Sequence, residues 1–410
     1  MGGGNAWLRR ALWVIGPGLM VMLADTDAGS VITASQSGAR WGFRLLALQV
    51  LLVPVLYLVM ELTVRLGLTT GKGHAALIRE RFGTGWAYFS VAGLLLSVVG
   101  ALVTEFAGIA GAGELFGISR AITVPAAATL LVLLVLSGGY RRVEVVGITL
   151  GLLELTFVGA AIFAHPSTHA LVSGAASHQP LGNSSYLGLV AANVGAVVMP
   201  WMLFYQQGAV VDKGLTERHL RIARIDTAVG ALLTQIVMGA VLVATAASLH
   251  GRSGGHSLRS VGEISTALAP LLGATAAKLV LALGMLGAAF VAGIVVSCAA
   301  AWAVTEVAGK PGSLNAGVRS APLFYAIYVA AVVAGAGAVL SSRSLVRLSV
   351  DVEIVNALLL PFVLGMLVLI ARSALPRAYR LGRPRIATVG FVTSAATLLG
   401  ILWLGFAFGL

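Results

Sequence analysis

The sequence predicts an all-α polytopic membrane protein with about eleven transmembrane helices, and three observations predict it. The chain has 410 residues, of which 58% are hydrophobic and only 10% charged, whereas a soluble domain carries about 25% charged residues. Such a chain cannot cover itself with polar surface in water. Its apolar runs reach about 20 residues or more, without the ten-residue alternation of a membrane barrel. Helices therefore satisfy the backbone N–H and C=O groups that lipid leaves unsolvated. Finally, the 51 glycines and the many alanines would weaken helices in water but let neighbouring helices approach closely in lipid.

The apolar segments fall near residues 11–36, 43–67, 86–116, 121–138, 143–164, 186–211, 226–249, 275–306, 320–340, 353–372 and 386–408. No connecting loop is long enough for a second domain, so the expectation is one integral domain over residues 1–410. It divides into a first repeat (11–164), a second repeat (186–372) and an extra helix (386–408). The net charge of +12 does not indicate nucleic acid, because the basic residues sit in short loops between apolar runs. With the N-terminus inside, 19 of the 27 Lys and Arg residues lie on the cytoplasmic side and 8 on the other. The positive-inside rule then predicts a cytoplasmic N-terminus and, with eleven spans, an extracellular C-terminus. The expected setting is the plasma membrane of a prokaryote, with the lipid bilayer as partner. Arg9 and Arg10 before an apolar stretch resemble a signal peptide, but that stretch runs into a charged, glycine-containing segment and not a small-residue cleavage site. The single Cys298 excludes an intramolecular disulfide framework.

Segments 1 and 6 differ from the rest. The run Asp25-Thr26-Asp27-Ala28-Gly29-Ser30 interrupts segment 1 in mid-membrane, and Gly195-Ala196-Val197-Val198-Met199-Pro200-Trp201 interrupts segment 6 at a comparable depth. Both helices are expected to unwind there. Interrupted helices at corresponding positions of two five-helix halves mark the midplane site of an inverted-repeat transporter.

Asp27 is the sharpest chemical signal, since an aspartate at the bilayer centre costs about 3 kcal/mol on insertion scales. It is read as a hard anionic ligand for a cation, against a structural role as cap of the second half-helix with Ser30 helping. Asp25, two residues earlier, is either a ligand or a vestibule acid in water. Glu353 begins segment 10 and either snorkels or points into a cavity; Asn356 lies one turn along the same face, and Asp351 reads as a solvated helix end. Glu105 and Glu154, inside segments 3 and 5, are each a proton carrier or a neutral hydrogen-bonded core residue. Met199 offers a thioether suited to transition ions, although methionine in a membrane helix more often packs. Gln206 and Gln207 hydrogen-bond either a hydrated ion or another helix. The seven histidines fall in expected loops without metalloenzyme spacing. With no HExxH, GxSxG, P-loop or CxxC present, an enzyme is the weaker class.

On these residues the sequence resembles the NRAMP family of divalent-metal transporters. The stretch from Gly16 to Ser30 is similar to the family's first-helix segment that begins with GP and ends in DPGN. Residues 38–43 (GARWGF), 70–73 (TGKG) and 196–200 (AVVMP, against the family's AxxMP followed by histidine) also match. The resemblance implies a LeuT-like 5+5 inverted repeat with unwound helices 1 and 6. It implies that Asp27, Met199 and the carbonyl of Ala196 contact the metal, with Ser30 in place of the family's asparagine and Glu353 in place of a glutamine of the tenth helix. Asp25, Glu105, Trp201, Gln207 and Asn356 are expected around them as neighbours or vestibule groups.

Three departures shape the substrate expectation. Ala28 replaces the motif proline, Trp201 the histidine, and Gly108 a glutamate of the family's proton route. A shorter Ser30 and an acidic Glu353 leave a roomier, harder site, which suits Mg²⁺, an ion that gives up its waters reluctantly. These changes look like the NRAMP-related magnesium transporters. The expected activity is transport of a divalent cation, Mg²⁺ and also Mn²⁺, without obligatory proton coupling and with no cofactor. The alternatives are a proton-coupled Mn²⁺/Fe²⁺ transporter and an amino-acid transporter on the same fold, where an anionic Asp27 would repel the substrate carboxylate.

Overall fold

The computed structural model describes residues 13–250, 258, 260–341 and 345–380, together with 382, 387, 388, 390, 391 and 394. The described residues build helices without strands, as the composition demands. Eight helical spans are long and apolar enough to cross a membrane: 46–70, 84–114, 140–163, 184–212, 217–249, 274–308, 322–341 and 349–374. The pair α1 (Pro17–Asp25) and α2 (Ala28–Trp41), and the 17-residue α6 (Arg120–Leu136), fall on two more of the expected segments. The expected extra helix at 386–408 lies almost wholly outside the described residues.

In chain order α3 (Leu46–Thr70), α4 (His74–Phe82) and α5 (Thr84–Glu114) precede α6. Then come α7 (Tyr140–Gly151), a 3₁₀ turn (Leu152–Glu154), α8 (Leu155–Phe163) and α9 (Thr168–Ala175). The second half holds α10 (Ser184–Val197), α11 (Pro200–Asp212), α12 (Leu220–Leu249), α13 (Val261–Leu272), α14 (Ala274–Ala308), α15 (Pro322–Ser341) and α16 (Leu345–Ala374). The short helices α4, α9 and α13 fall between the expected segments and carry too few apolar residues in a row to be read as spans.

Both expected interruptions are present, and each has a local cause. After α1, Thr26 folds back to Leu23 O and Asp27 is extended at φ −67°, ψ 175°. After α10, Val198 and Met199 are extended because Pro200 follows, since a proline disfavours helical geometry in the residue before it and starts a helix well. Glycines set the spacing around these breaks. A Cβ at Gly195 would overlap the backbone of Glu353, so α10 and α16 touch main chain to main chain.

Two expectations need correction. Glu353 does not begin its helix, because α16 starts at Leu345 and carries it into the interior. His74 is not a loop residue: it opens α4, is buried, and its Nδ1 lies 2.9 Å from Gln207 Oε1.

Candidate metal site

The site forms where the breaks of α1/α2 and α10/α11 meet. Asp27 stands at the N-cap of α2, and its Oδ1 accepts from Ser30 N at 2.7 Å, satisfying one of the N–H groups a helix start leaves open. The structural reading of Asp27 is therefore correct for one oxygen. Its Oδ2 is buried and meets no N–H or hydroxyl donor, and the Glu105 carboxyl lies within hydrogen-bonding reach of the Asp27 carboxyl. Ser30 Oγ donates to Ala196 O at 3.3 Å, which joins the two breaks directly. Met199, fully buried, lies in the extended link of the second break.

Glu353 enters from α16. Its Oε2 accepts from Asn356 Nδ2 at 3.1 Å, and Asn356 Oδ1 accepts from Ser97 Oγ at 2.7 Å, so Asn356 orients the carboxylate. Glu353 Oε1 has no partner. Gly29 shows where these groups converge. A Cβ there would lie 2.5 Å from Glu353 Oε1, 3.3 Å from Thr104 Oγ1 and 3.4 Å from Asp27 Oδ1. Only glycine at residue 29 lets the two carboxylates and the hydroxyl approach this closely. Glu105 Oε2 accepts from Ala28 N at 3.2 Å, and Thr104 Oγ1 lies 3.3 Å from Glu105 Oε1.

Five acids are buried around the breaks: Asp25, Asp27, Glu105, Glu154 and Glu353. None of them forms an ion pair with Lys, Arg or His among the described residues. Uncompensated buried charge is costly, and a bound cation would offset that cost. Asp25 is buried rather than solvated. Among the described residues no three His, Cys, Asp or Glu side chains form a metal cage by themselves, and a cation here would also draw on carbonyl, hydroxyl or thioether atoms.

Of the expected neighbours, Asn356 and Glu105 are in place, and Trp201 is buried with its Nε1 unpartnered. Gln207 is not with them. Its Nε2 donates to Lys72 O at 2.8 Å and its Oε1 faces His74, so both ends tie α11 to the start of α4. Its neighbour Gln206 bonds Thr227 Oγ1 at 3.0 Å and keeps Oε1 unpartnered.

Sequence reasoning missed the groups that hold the other end of α1. Asp226, on α12, accepts from the backbone N–H groups of Gly16 (3.2 Å), Gly18 (2.7 Å) and Leu19 (3.1 Å), capping α1 across some 210 positions of chain. Lys213 Nζ reaches Ile15 O at 3.0 Å and both oxygens of Glu144 at 2.7 and 2.9 Å, while Arg141 holds Glu144 from the other side at 2.7 Å. Burial pulls the Lys213 ammonium below its ordinary value, and the Glu144 carboxylate opposes that pull. The only sequence signal for this clasp was a lone acid, Asp226, at the start of an apolar run.

The profile of the family described as Nramp, natural resistance-associated macrophage protein-like, matches residues 18–405. The chain belongs to the Nramp family. Among its relatives, the divalent metal cation transporter MntH of Brucella suis biovar 1 is 31% identical over 291 residues, covering 68% of this chain and 63% of that protein. MntH 1 of Pseudomonas aeruginosa is 30% identical over 299 residues, 68% of this chain and 66% of that one. The matched stretch thus spans slightly under two thirds of either relative. A mutant of the Eremococcus coleocola manganese transporter superposes with a TM-score of 0.80 at 18% identity, covering 100% of this chain and 90% of that one. A nucleobase-cation-symport-1 family transporter in a closed conformation gives 0.60 at 13%, covering 96% and 92%. At such identities these likenesses speak for the fold, which in this Nramp chain is the LeuT-like inverted repeat with helices 1 and 6 unwound.

Proposed function

We propose that the chain carries a divalent metal ion across the membrane by alternating access, that the ion is Mg²⁺ with Mn²⁺ as a second substrate, and that no proton need move with it. The observation that carries this reading is the convergence of the Asp27 and Glu353 carboxylates at Gly29, each keeping one buried oxygen, Oδ2 and Oε1 respectively, that no N–H or O–H donor reaches. Two carboxylates with hydroxyl and carbonyl oxygens nearby suit a hard divalent cation that keeps some of its water. Asp27, Ser30, Ala196 O, Met199 and Glu353 are the proposed ligands. Gly108 and Trp201, where the family carries proton-route side chains, support transport without obligatory proton coupling. The chain is proposed to lie in the plasma membrane of a prokaryote as a single integral domain, N-terminus inside.

A second reading, a proton-coupled Mn²⁺ transporter, is favoured by Met199 at the second break and by the manganese and divalent-metal names of the relatives and structural neighbours. Uptake into proteoliposomes decides between them. Mg²⁺, Mn²⁺ and Ca²⁺ are offered one at a time, with and without an imposed pH gradient. The proposal expects Mg²⁺ entry that the gradient leaves unchanged; entry of Mn²⁺ alone, accelerated by outside acid, would establish the second reading.

A further inference from the structure

Of the five buried acids around the breaks, Glu154 is outside the proposed ligand set. Glu154 sits in the 3₁₀ turn that interrupts the fifth span between α7 and α8, and short 3₁₀ stretches inside helices often mark functional positions. A glycine seam directs it toward the first break. A Cβ at Gly147 would lie 2.5 Å from Met20 Cε, and one at Gly151 would lie 2.8 Å from Leu23 Cβ. The same seam continues to Thr26, one turn beyond Leu23, whose hydroxyl hydrogen-bonds the Glu154 carboxylate. The charges of Asp25 and Asp27 both act on Glu154 there.

Glu154 is completely buried, and the Thr26 hydroxyl reaches its carboxylate while no basic side chain among the described residues pairs with it. Asp25 Oδ1 is buried and unpartnered. Between them, Thr26 Oγ1 and Thr234 Oγ1 are 2.6 Å apart, and Thr234 Oγ1 donates to Asp25 Oδ2 at 3.4 Å. Two buried carboxylates, two hydroxyls and no basic side chain paired to either acid form a cluster made of oxygens alone. Ordinary packing does not leave two neighbouring buried carboxylates with hydroxyls as their only partners at this depth.

We propose that Glu154 and Asp25, with the hydroxyls of Thr26 and Thr234, form a second cation site on the α1 side of the break. Its donors are all hard, so it takes a hard cation, a divalent ion such as Mg²⁺ or a monovalent one such as Na⁺, and has no thioether with which to favour a transition metal. Asp25 is the last residue of α1 and Asp27 caps α2, so the two sites lie on opposite sides of the first break. A movement of α1 carries Asp25 and leaves Asp27 in place. An ion held by Asp25 and Glu154 therefore ties α1 to the fifth span and couples its occupancy to that movement. The proposal rests on reading Asp27 as part of the first site.

The test is equilibrium binding of ²²Na⁺, Mg²⁺ and Mn²⁺ to the purified full-length protein, comparing wild type, Asp27→Asn, Glu154→Gln, Glu154→Asp and the double variant Asp27→Asn/Glu154→Gln. Asp27→Asn keeps the helix cap while weakening the first site. The expectation is that Asp27→Asn retains saturable binding of a hard cation which Glu154→Gln, added to it, weakens at least tenfold, and that Glu154→Asp falls between. Retained Mg²⁺ binding identifies a divalent ion in transit; retained Na⁺ binding alone identifies a co-ion. Equal binding by Asp27→Asn and the double variant, or no cation binding by Asp27→Asn, overturns the second site. Wild-type Mg²⁺ uptake by Asp27→Asn would instead overturn the first-site reading, so the two failures are distinct.

Discussion

Gly108 and Ala28 fit against one another with no room to spare: a Cβ on residue 108 would overlap the Cβ of Ala28, with Met285 Cε also within 3.3 Å. Both positions are departures from the family pattern that the sequence resembles, and the structure shows them to be one packing arrangement between α2 and α5. The glutamate expected of the family's proton route cannot be restored at residue 108 without displacing the helix that carries Asp27.

Gly108→Ala is therefore expected to destabilise the protein by about 1–3 kcal/mol, the usual cost of overpacking, despite the better helix propensity of alanine. Gly108→Glu is expected to cost more. Thermal unfolding in detergent checks this, and Ala28→Gly combined with Gly108→Ala should recover most of the loss. A Gly108→Ala protein as stable as wild type would show that the α2–α5 contact yields easily.

The two oxygens of Asp27 have separable roles. Asp27→Ala removes the cap on Ser30 N and should lower stability by about 1 kcal/mol, whereas Asp27→Asn retains an oxygen at Oδ1 and should melt close to wild type. Identical melting of the two variants would mean that the 2.7 Å bond from Ser30 N contributes little.

Selectivity separates Met199 from Glu353. Met199→Ala is expected to leave Mg²⁺ uptake within about threefold of wild type, because a hard ion gains little from a thioether. Glu353→Gln keeps the shape and drops the charge, and should reduce Mg²⁺ uptake at least tenfold. The reverse pattern, with Mn²⁺ entry lost in Met199→Ala and no Mg²⁺ entry in wild type, would make the chain a transition-metal transporter.

His74 gives a pH signature of stability. Burial holds its imidazole down at about 4 from an ordinary 6.5, with the Gln207 hydrogen bond opposing. Below pH 6.5 the unfolded chain takes up a proton that the folded protein refuses, so stability falls as pH drops from about 6.5 toward 4. The loss is of order 3 kcal/mol over that range. His74→Gln should flatten this part of the stability profile measured by denaturation in detergent.

The clasp on α1 predicts a mobility change. Asp226→Asn leaves an amide where three N–H groups now meet a carboxylate, losing the charge that favours a helix N-terminus. Hydrogen exchange over residues 16–19 should quicken at least tenfold, with exchange in α14 unchanged. Unchanged exchange at 16–19 would show that Lys213 and Glu144 hold α1 without help.

Much of this was legible before the structure. The breaks at Asp27 and Met199 were readable because acids, glycine and proline interrupt otherwise continuous apolar runs, and each interruption has the local cause the residues suggested. The site around Gly29 was readable in its members but not in its geometry, since one oxygen each of Asp27 and Glu353 is committed to Ser30 and Asn356. Gln207 shows the opposite limit: an amide in a broken helix could face an ion or another helix, and only the partner His74, 133 positions away, decides it. Asp226 and Glu154 were unreadable in role because their neighbours are set by how α12 and α7 pack on α1.

Uptake of Mg²⁺ by wild type and by Asp27→Asn, reconstituted side by side in proteoliposomes with internal pH recorded throughout, is the most direct measurement of ligand role and coupling. The predicted result is saturable Mg²⁺ entry in wild type without acidification, and at least a hundredfold slower entry in a variant that still folds. Wild-type uptake by Asp27→Asn, or acidification that keeps step with Mg²⁺ entry and vanishes without it, would contradict the account.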